Sequence, residues 1–321
     1  MFVWGIFILC IIIFLALDLG VFHKNPHVIQ TKEAAIWTSI WVTLALSFSL
    51  VIYWIFNEGL IDNPTNLEPQ EAVLKYITGY FIELSLSIDN VFVIAVIFSS
   101  FAIPAKYQHE VLFWGILGAI FFRALMIFFG VVLINKFDWI IYVFGAFLLF
   151  TAFRMLTHKE EDFNPKTSKV YRILKKFFPL TNDFSGDKFF IHRMGIRAAT
   201  PLFVALIVIE LTDILFALDS IPAILAITSD PFIVFSSNIF AILGLRSMYF
   251  VISRMLDQFR FLNYSLVVIL AYVGVKMIIS DFVTIHEWLS LGVIIVSLAS
   301  GIIASLAIPV KESDSIKDSH I

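Results

Sequence analysis

Two segments of this chain are too long and too apolar to belong to a water-soluble fold. Residues 34–56 and 288–310 carry no charged side chain, and about 20 mostly apolar residues are enough for a helix to cross the hydrocarbon core of a bilayer. The whole chain is 60% hydrophobic and 15% charged, whereas soluble domains are about 45–50% apolar and about 25% charged. This composition excludes a soluble enzyme, a disordered chain and a disulfide-stabilised secreted domain. We therefore interpret the chain as a polytopic membrane protein.

The other apolar segments extend this to an all-α fold with about nine transmembrane helices. The first span, residues 1–22, carries only Asp18 and has no cleavage-site pattern, so we interpret it as an anchor rather than a signal peptide. The remaining predicted spans are residues 72–100, 109–134, 138–157, 200–228, 232–256 and 261–280.

The basic residues predict how these helices are oriented. One set of loops, together with the C-terminal tail, holds sixteen lysines and arginines, and the opposite set holds only Lys136. By the positive-inside rule the N-terminus lies outside and the tail is cytoplasmic, as we expect in a bacterial inner membrane. The basic loop at 158–199 is then cytoplasmic. Within it, residues 169–178 mix basic and apolar side chains at helical spacing, which fits a helix on the membrane surface or, more simply, a short connector.

A unit of three spans occurs twice. Residues 83–90 match 213–220 at an offset of 130, Arg123 matches Arg246 at an offset of 123, and residues near 137–155 match those near 259–277 at an offset of 122. Because three is odd, the second copy must be inverted, and inverted repeats in transporters place the binding site at their interface. The alternative is chance similarity between apolar helices.

The repeat predicts a division of the chain into six parts. They are two N-terminal helices (1–71), the first repeat (72–157), the basic loop (158–199), the second repeat (200–280), a final helix (281–310) and a tail (311–321).

Acidic side chains stand inside two of the predicted spans. A charge at the bilayer centre costs about 2.5–3.5 kcal/mol on insertion scales, so such residues are rare and usually functional. Carboxylate, amide and hydroxyl oxygens are hard ligands that suit Mn²⁺, Mg²⁺ or Ca²⁺. The histidines fall in predicted loops or the tail and Cys10 is the only cysteine, which disfavours zinc or copper. The predicted metal-site residues are Glu83, Asp89, Asn90, Glu210, Asp213, Asp219 and Ser220.

Two interpretations of these acids remain open. Crowded carboxylates in low dielectric cannot all be ionised, so a divalent cation and protons would compete for them, as in a proton/cation antiporter. Alternatively the acids form structural ion pairs with Arg123, Arg246 and Lys276. Five acids against three bases leave two negative charges, which a divalent cation would neutralise.

Helical geometry adds a constraint on the aspartates. Asp89 and Asp219 each lie six residues after an acid, so each such pair points to different sides of an unbroken helix. Either both helices are surrounded by protein, or each unwinds at its aspartate. Pro222 makes a break plausible in the second copy.

Two acidic stretches of the chain are Glu83-Leu-Ser-Leu-Ser-Ile-Asp-Asn90 and Glu210-Leu-Thr-Asp-Ile-Leu-Phe-Ala-Leu-Asp-Ser220. They resemble the paired signatures of the TerC family. The likeness to the bacterial Alx branch of this family covers residues 10–300. The resemblance implies an integral membrane protein of a family named for tellurium resistance, with members implicated in Mn²⁺ export and metal stress. By matching positions it places the seven site residues on a cation path. Some relatives carry Lys where this chain has Leu84. Tellurite is an anion, which a carboxylate-lined path would repel.

The function we expect is secondary transport that exports Mn²⁺, in exchange for protons, with these ions and the lipid bilayer as the partners. We expect no resident cofactor, no nucleic acid and no enzymatic activity, since the chain shows no nucleotide-binding loop and no nucleophile–base pair. The alternative is a membrane scaffold or assembly factor whose buried acids hold helices together. The sequence predicts no particular protein partner.

Overall fold

The chain folds almost entirely into helices. The structure, a computed structural model, describes residues 2–22, 31–63, 66–137, 139–157, 169–181, 184, 186–193, 196–253, 261–283 and 285–307. Its elements are α1 (Phe2–Phe22), α2 (Thr31–Asn57), α3 (Pro69–Ser100), α4 (Ala105–Lys136), α5 (Ile140–Thr157), α6 (Lys169–Phe177), β1 (Phe190–Arg193), β2 (Ile196–Ala199), α7 (Pro201–Leu225), α8 (Pro231–Ile252), α9 (Leu262–Ile279) and α10 (Glu287–Ala307).

Eight of the described helices, α2 to α5 and α7 to α10, are long and apolar enough to cross a membrane. Helix α1 contributes a shorter apolar stretch, Phe2–Leu17. The prediction of an all-α polytopic membrane protein is confirmed, and the helices lie within a few residues of the predicted spans. Asp18 is on α1, but its side chain lies outside what the structure describes.

Prolines mark where three of these helices begin. Pro69, Pro201 and Pro231 each occupy the first helical position, where the missing N–H costs nothing and the fixed φ suits the helix. Asp230 completes the start of α8, because its Oδ1 accepts hydrogen bonds from the backbone N–H groups of Phe232 and Ile233 at 2.9 and 3.0 Å.

Neither acid-bearing helix unwinds. Helix α7 continues through Pro222 to Leu225, and α3 passes Asp89 without interruption. Of the two alternatives, the break at Pro222 is absent from α7, where this proline lies in the last turn. The acids are covered by neighbouring helices instead, with Glu83 and Asp213 buried and Asp89 and Asp219 half-buried.

The helices pack around α3, α7 and the deeply enclosed α8. Helix α3 packs on α2, α7, α8 and α10, α4 packs on α7 and α8, and α5 packs on α9. The proposed repeats contain α3 to α5 and α7 to α9. If they were exchanged, the contact between α3 and α8 would become the contact between α7 and α4, and both contacts are present. The inverted relation between the units, and the division into six parts, stay predictions.

The described part of the basic loop contains more structure than a plain connector. Helix α6 packs on the helical body, with Leu174 buried and the ring of Tyr171 5.9 Å from that of Phe101. The strands β1 and β2 pair antiparallel in a hairpin. This hairpin gives no clear signal in the sequence, because its strands have four residues each and no clear alternation of polar and apolar side chains.

Candidate functional site

A buried arginine joins the two repeats at their acidic positions. Arg123 of α4 is 1% exposed and forms an ion pair with Glu83 of α3. Its Nη2 and Nε donate to the two carboxylate oxygens of Asp213 on α7 at 2.8 and 3.2 Å. This two-bond fork is the strong geometry for an arginine and a carboxylate. One guanidinium therefore links α3, α4 and α7.

Two further side chains of α3 complete this network. Asn90 donates from Nδ2 to Asp213 Oδ1 at 3.2 Å, and Ser87 donates from Oγ to Glu83 Oε1 at 3.4 Å. Residues four and seven positions after Glu83 share its face of the helix. The structure thus brings together the predicted residues Glu83, Asn90 and Asp213 on facing surfaces of α3 and α7.

Glu210 lies beside the network, against the backbone of α4. It stands three residues before Asp213 on the same face of α7, and a Cβ added at Gly118 would collide with its carboxylate. Glycine at 118 therefore makes room for the Glu210 carboxylate between the helices. Gly118 was not among the predicted site residues; a small residue facing an acid across two helices gives no signal in a single sequence.

Asp219 occupies a separate position, next to α5. Its Oδ1 accepts a hydrogen bond of 2.8 Å from Thr151 Oγ1, and Arg154 interacts with it electrostatically. Sequence reasoning missed Thr151, although Thr151 and Arg154, three residues apart, share one face of α5. Asp89 is half-buried on α3 and has interactions of its own. Ser220 is 1% exposed on α7.

Lys276 has an acidic partner that the sequence interpretation placed elsewhere. Its Nζ lies 3.2 Å from Glu287 Oε2 and 3.0 Å from Ser290 Oγ, both on α10. Glu287 was predicted to lie in a loop, and it is instead the first residue of α10. The count of five acids against three bases therefore omitted Glu287.

A small cavity adjoins the network between α3, α4, α7 and α8. Its volume is about 20 Å³, and about 10–15 Å³ is enough to hold one water molecule. The polar residues that line it are Asn90, Thr212, Asp213 and Arg246. Arg246, the repeat equivalent of Arg123, is 2% exposed and lines the same cavity as Asp213.

Several buried oxygen atoms near the network lack a hydrogen-bond partner within the described part of the chain. They are Glu83 Oε2, Asn90 Oδ1, Glu210 Oε2 and Ser220 Oγ. Buried polar atoms are normally paired, and these oxygens are the donor type that hard divalent cations prefer. Among the residues described, however, no three His, Cys, Asp or Glu side chains converge as a ready metal site. The guanidinium of Arg123 is the cation that this network holds.

The comparisons with known proteins agree on one family. The family described as "Integral membrane protein TerC family" matches residues 68–313. A membrane protein of Myxococcus xanthus is 49% identical over 94% of this chain and 91% of its own length. The "membrane-bound redox modulator Alx" of Escherichia coli (strain K12) is 44% identical over 91% of this chain and 90% of its own length. No solved structure matches the chain.

Proposed function

Since the chain belongs to the TerC family of integral membrane proteins, we propose that it is a secondary transporter that exports a divalent cation, Mn²⁺, in exchange for protons. The observation that carries the proposal is the Arg123 guanidinium held between Glu83 and Asp213, with Asn90 bonded to Asp213 and Glu210 one turn before it on α7. These groups already stabilise a cation between two helices. A metal ion would be the cargo of this site and not a resident cofactor.

The donor chemistry suits Mn²⁺ as one of the hard divalent cations that such a site would take. Carboxylate, amide and hydroxyl oxygens suit hard cations, and Mn²⁺ accepts an all-oxygen shell. The ion would replace the Arg123 guanidinium between Glu83 and Asp213, with Glu210 and Asn90 supplying further oxygens. The path that leads to and from this centre would then pass Asp219 with Thr151, and also Asp89 and Ser220.

Protons complete the exchange in this proposal. A carboxylate that takes up a proton loses its charge and with it most of its affinity for the metal, so protonation releases the cation. The loop charges orient the protein with its N-terminus outside and its tail in the cytoplasm, in a bacterial inner membrane. The proposal involves no catalytic step, no cofactor and no nucleic acid. A redox role belongs to the name of the Alx relatives, and export of a metal is proposed for this chain.

A direct test is Mn²⁺ binding to the purified protein, measured by the loss of the free-ion electron paramagnetic resonance signal. Glu210→Gln keeps the size of the side chain and removes one carboxylate, so we expect the dissociation constant to rise roughly tenfold or more, about 1.4 kcal/mol. Glu71→Gln is the matched control, because Glu71 lies at the start of α3 with a side chain 42% exposed. Equal affinity in the wild type and Glu210→Gln would contradict the proposal.

One observation favours the scaffold alternative. Arg123 links three helices through buried ion pairs, as a purely structural network would. In that case replacing Glu83, Arg123 and Asp213 together by apolar residues of similar volume should preserve activity, since such exchanges of buried ion networks are often neutral or stabilising. For a transporter the same triple variant should fold and bind no Mn²⁺. The binding assay on this variant therefore separates the two functions.

A further inference from the structure

We infer that this structure is one of two states, and that Arg123 and Arg246 hold the Glu83–Asp213 pair in turn. The inference rests on the proposed function and on the predicted repeat, and it assigns the exchange of arginines as the step that turns the site from one side of the membrane to the other.

The repeat makes Glu83 equivalent to Asp213 and Arg123 equivalent to Arg246. Exchanging the two units therefore turns the Arg123 bridge between Glu83 and Asp213 into an Arg246 bridge between the same two carboxylates. Both arginines are buried, and Arg246 lines a cavity together with Asp213. The pair has two equivalent counter-ions, and the structure shows the state in which Arg123 bridges both acids.

Equivalent positions are also packed differently in the two halves of the molecule. Ile94 and Ile209 border the cavity. Their repeat equivalents, at the offset of 130, are Ile224 and Gly79. There the packing is closed, because a Cβ added at Gly79 would lie only 2.8 Å from Ile224 Cδ1. One half of the molecule thus contains a small space where the other half is shut, as a protein with two alternating states requires.

The closed half also buries polar atoms that an opening would hydrate. Ser220 is the repeat equivalent of the cavity residue Asn90, and Asn238 of α8 is the equivalent of Gly115, which also lines the cavity. Ser220 and Asn238 are 1% and 0% exposed. Within the described residues, Ser220 Oγ and Asn238 Oδ1 have no hydrogen-bond partner. Buried oxygens without partners are costly, and an open cavity on this side would give them water or a cation.

The exchange of arginines follows from these contacts. When Arg123 bridges the pair, the space lies beside Asn90 and Thr212, on the side that the loop charges assign to the cytoplasm. When Arg246 bridges the Glu83–Asp213 pair, this cavity closes and the contact between Gly79 and Ile224 opens. A cavity then forms on the side of Ser220. The two carboxylates meet cations from one face of the membrane and then from the other.

Cysteine reporters test this directly. In a Cys10→Ser background, Thr212→Cys and Ser220→Cys place one thiol in each half, and their reaction rates with a membrane-impermeant thiosulfonate are measured from each side in oriented vesicles. Arg123→Lys keeps the charge and loses the fork to Asp213, which favours the Arg246-held state. We expect the labelling rate at Ser220→Cys to rise roughly tenfold, which corresponds to the loss of one charge-assisted hydrogen bond. The labelling rate at Thr212→Cys should fall. Arg246→Lys should shift both rates in the opposite direction.

A glycine pair provides a second test that leaves both arginines in place. Gly79→Ala inserts a methyl group into the closed contact and should raise the Ser220→Cys rate, as Arg123→Lys does. Gly292→Ala on α10 is the control, because within the described part of the chain nothing lies within 4 Å of its added Cβ, and both rates should stay unchanged.

The labelling reports conformation without any metal, so its outcome is separate from that of the binding assay. Opposite shifts in the two arginine variants, with a shift in Gly79→Ala and none in Gly292→Ala, support the exchange even if the protein binds no Mn²⁺. Shifts in the same direction, or no shift in any variant, overturn it even if Mn²⁺ binding is confirmed.

Discussion

At the scale of single residues, Asp230 shows how a buried carboxylate can serve the fold and still carry a cost. It lies in the connection between α7 and α8, is 2% exposed, and caps α8. Burial raises the pKa of Asp230, while the N–H groups of Ile233 and Phe232 and the nearby Lys75 act in the opposite direction. A carboxyl whose pKa is higher in the folded than in the unfolded state stabilises the fold when protonated, and that contribution is lost as pH rises through the folded pKa.

We predict that Asp230→Asn keeps the cap, since Asn and Asp cap helices equally well, and removes this pH dependence. The free energy of unfolding should then vary less than that of the wild type between about pH 4 and 7, as measured by denaturant unfolding in detergent. Asp230→Ala should be about 1 kcal/mol less stable than Asp230→Asn at all pH values, because both lack the titrating carboxyl and only Asn keeps the cap. A wild-type-like pH slope in Asp230→Asn would contradict this assignment.

A second residue-scale prediction concerns Gly118 and Glu210. In Gly118→Ala the new methyl group would collide with the Glu210 carboxylate. That carboxylate is the end of a flexible side chain and would move aside, so the fold should survive. We expect an unchanged melting temperature and an Mn²⁺ affinity that falls as in Glu210→Gln. If Gly118→Ala binds Mn²⁺ as tightly as the wild type does, the position of Glu210 is irrelevant to the site.

At the scale of elements, α5 and α9 cross where two glycines meet. A Cβ at Gly274 would lie 2.9 Å from the backbone oxygen of Gly145, and a Cβ at Gly145 would lie 2.9 Å from that of Gly274. Small residues at such crossings let membrane helices pack closely. Because backbone cannot move aside as a side chain can, Gly274→Ala should separate the helices and lower the melting temperature clearly.

Gly292→Ala on α10 is the control for this crossing, because within the described part of the chain nothing lies within 4 Å of its added Cβ. It should melt like the wild type, as measured by the fluorescence of the native tryptophans. Equal melting temperatures for Gly274→Ala and Gly292→Ala would show that α5 and α9 do not depend on this contact.

The elements themselves were predictable to different degrees. Hydropathy located the long helices within a few residues, because length and apolar composition alone decide whether a helix can span a bilayer. The effect of Pro222 was not predictable, since a proline in the last turn can either end a helix or remain inside it. Nor was the β1–β2 hairpin, whose short strands are stabilised by pairing with each other and by contact with the helical body.

At the scale of the whole molecule, the sequence located the acids and named Arg123 among their candidate partners, but it did not show which base pairs with which acid. Charges inside apolar segments are conspicuous, and the repeat indicated that Glu83 and Asp213 are equivalent. Which base neutralises each acid depends on how the helices pack. Residue spacing therefore could not predict that Arg123 bridges both acids, or that Lys276 pairs with Glu287. Thr151 and Gly118 were missed because a hydroxyl or a glycine inside an apolar helix gives no signal of its own.

The central claim is that this carboxylate network carries Mn²⁺ across a membrane in exchange for protons, and flux in proteoliposomes tests it most directly. Mn²⁺ uptake into vesicles with an internal metal indicator would be measured with and without a pH gradient, for the wild type, Asp213→Asn and the control Glu71→Gln. We predict that flux in the wild type and in Glu71→Gln follows the gradient, and that flux in Asp213→Asn is lost although the protein remains folded. Absence of flux in a folded wild type, or undiminished flux in Asp213→Asn, would contradict the account.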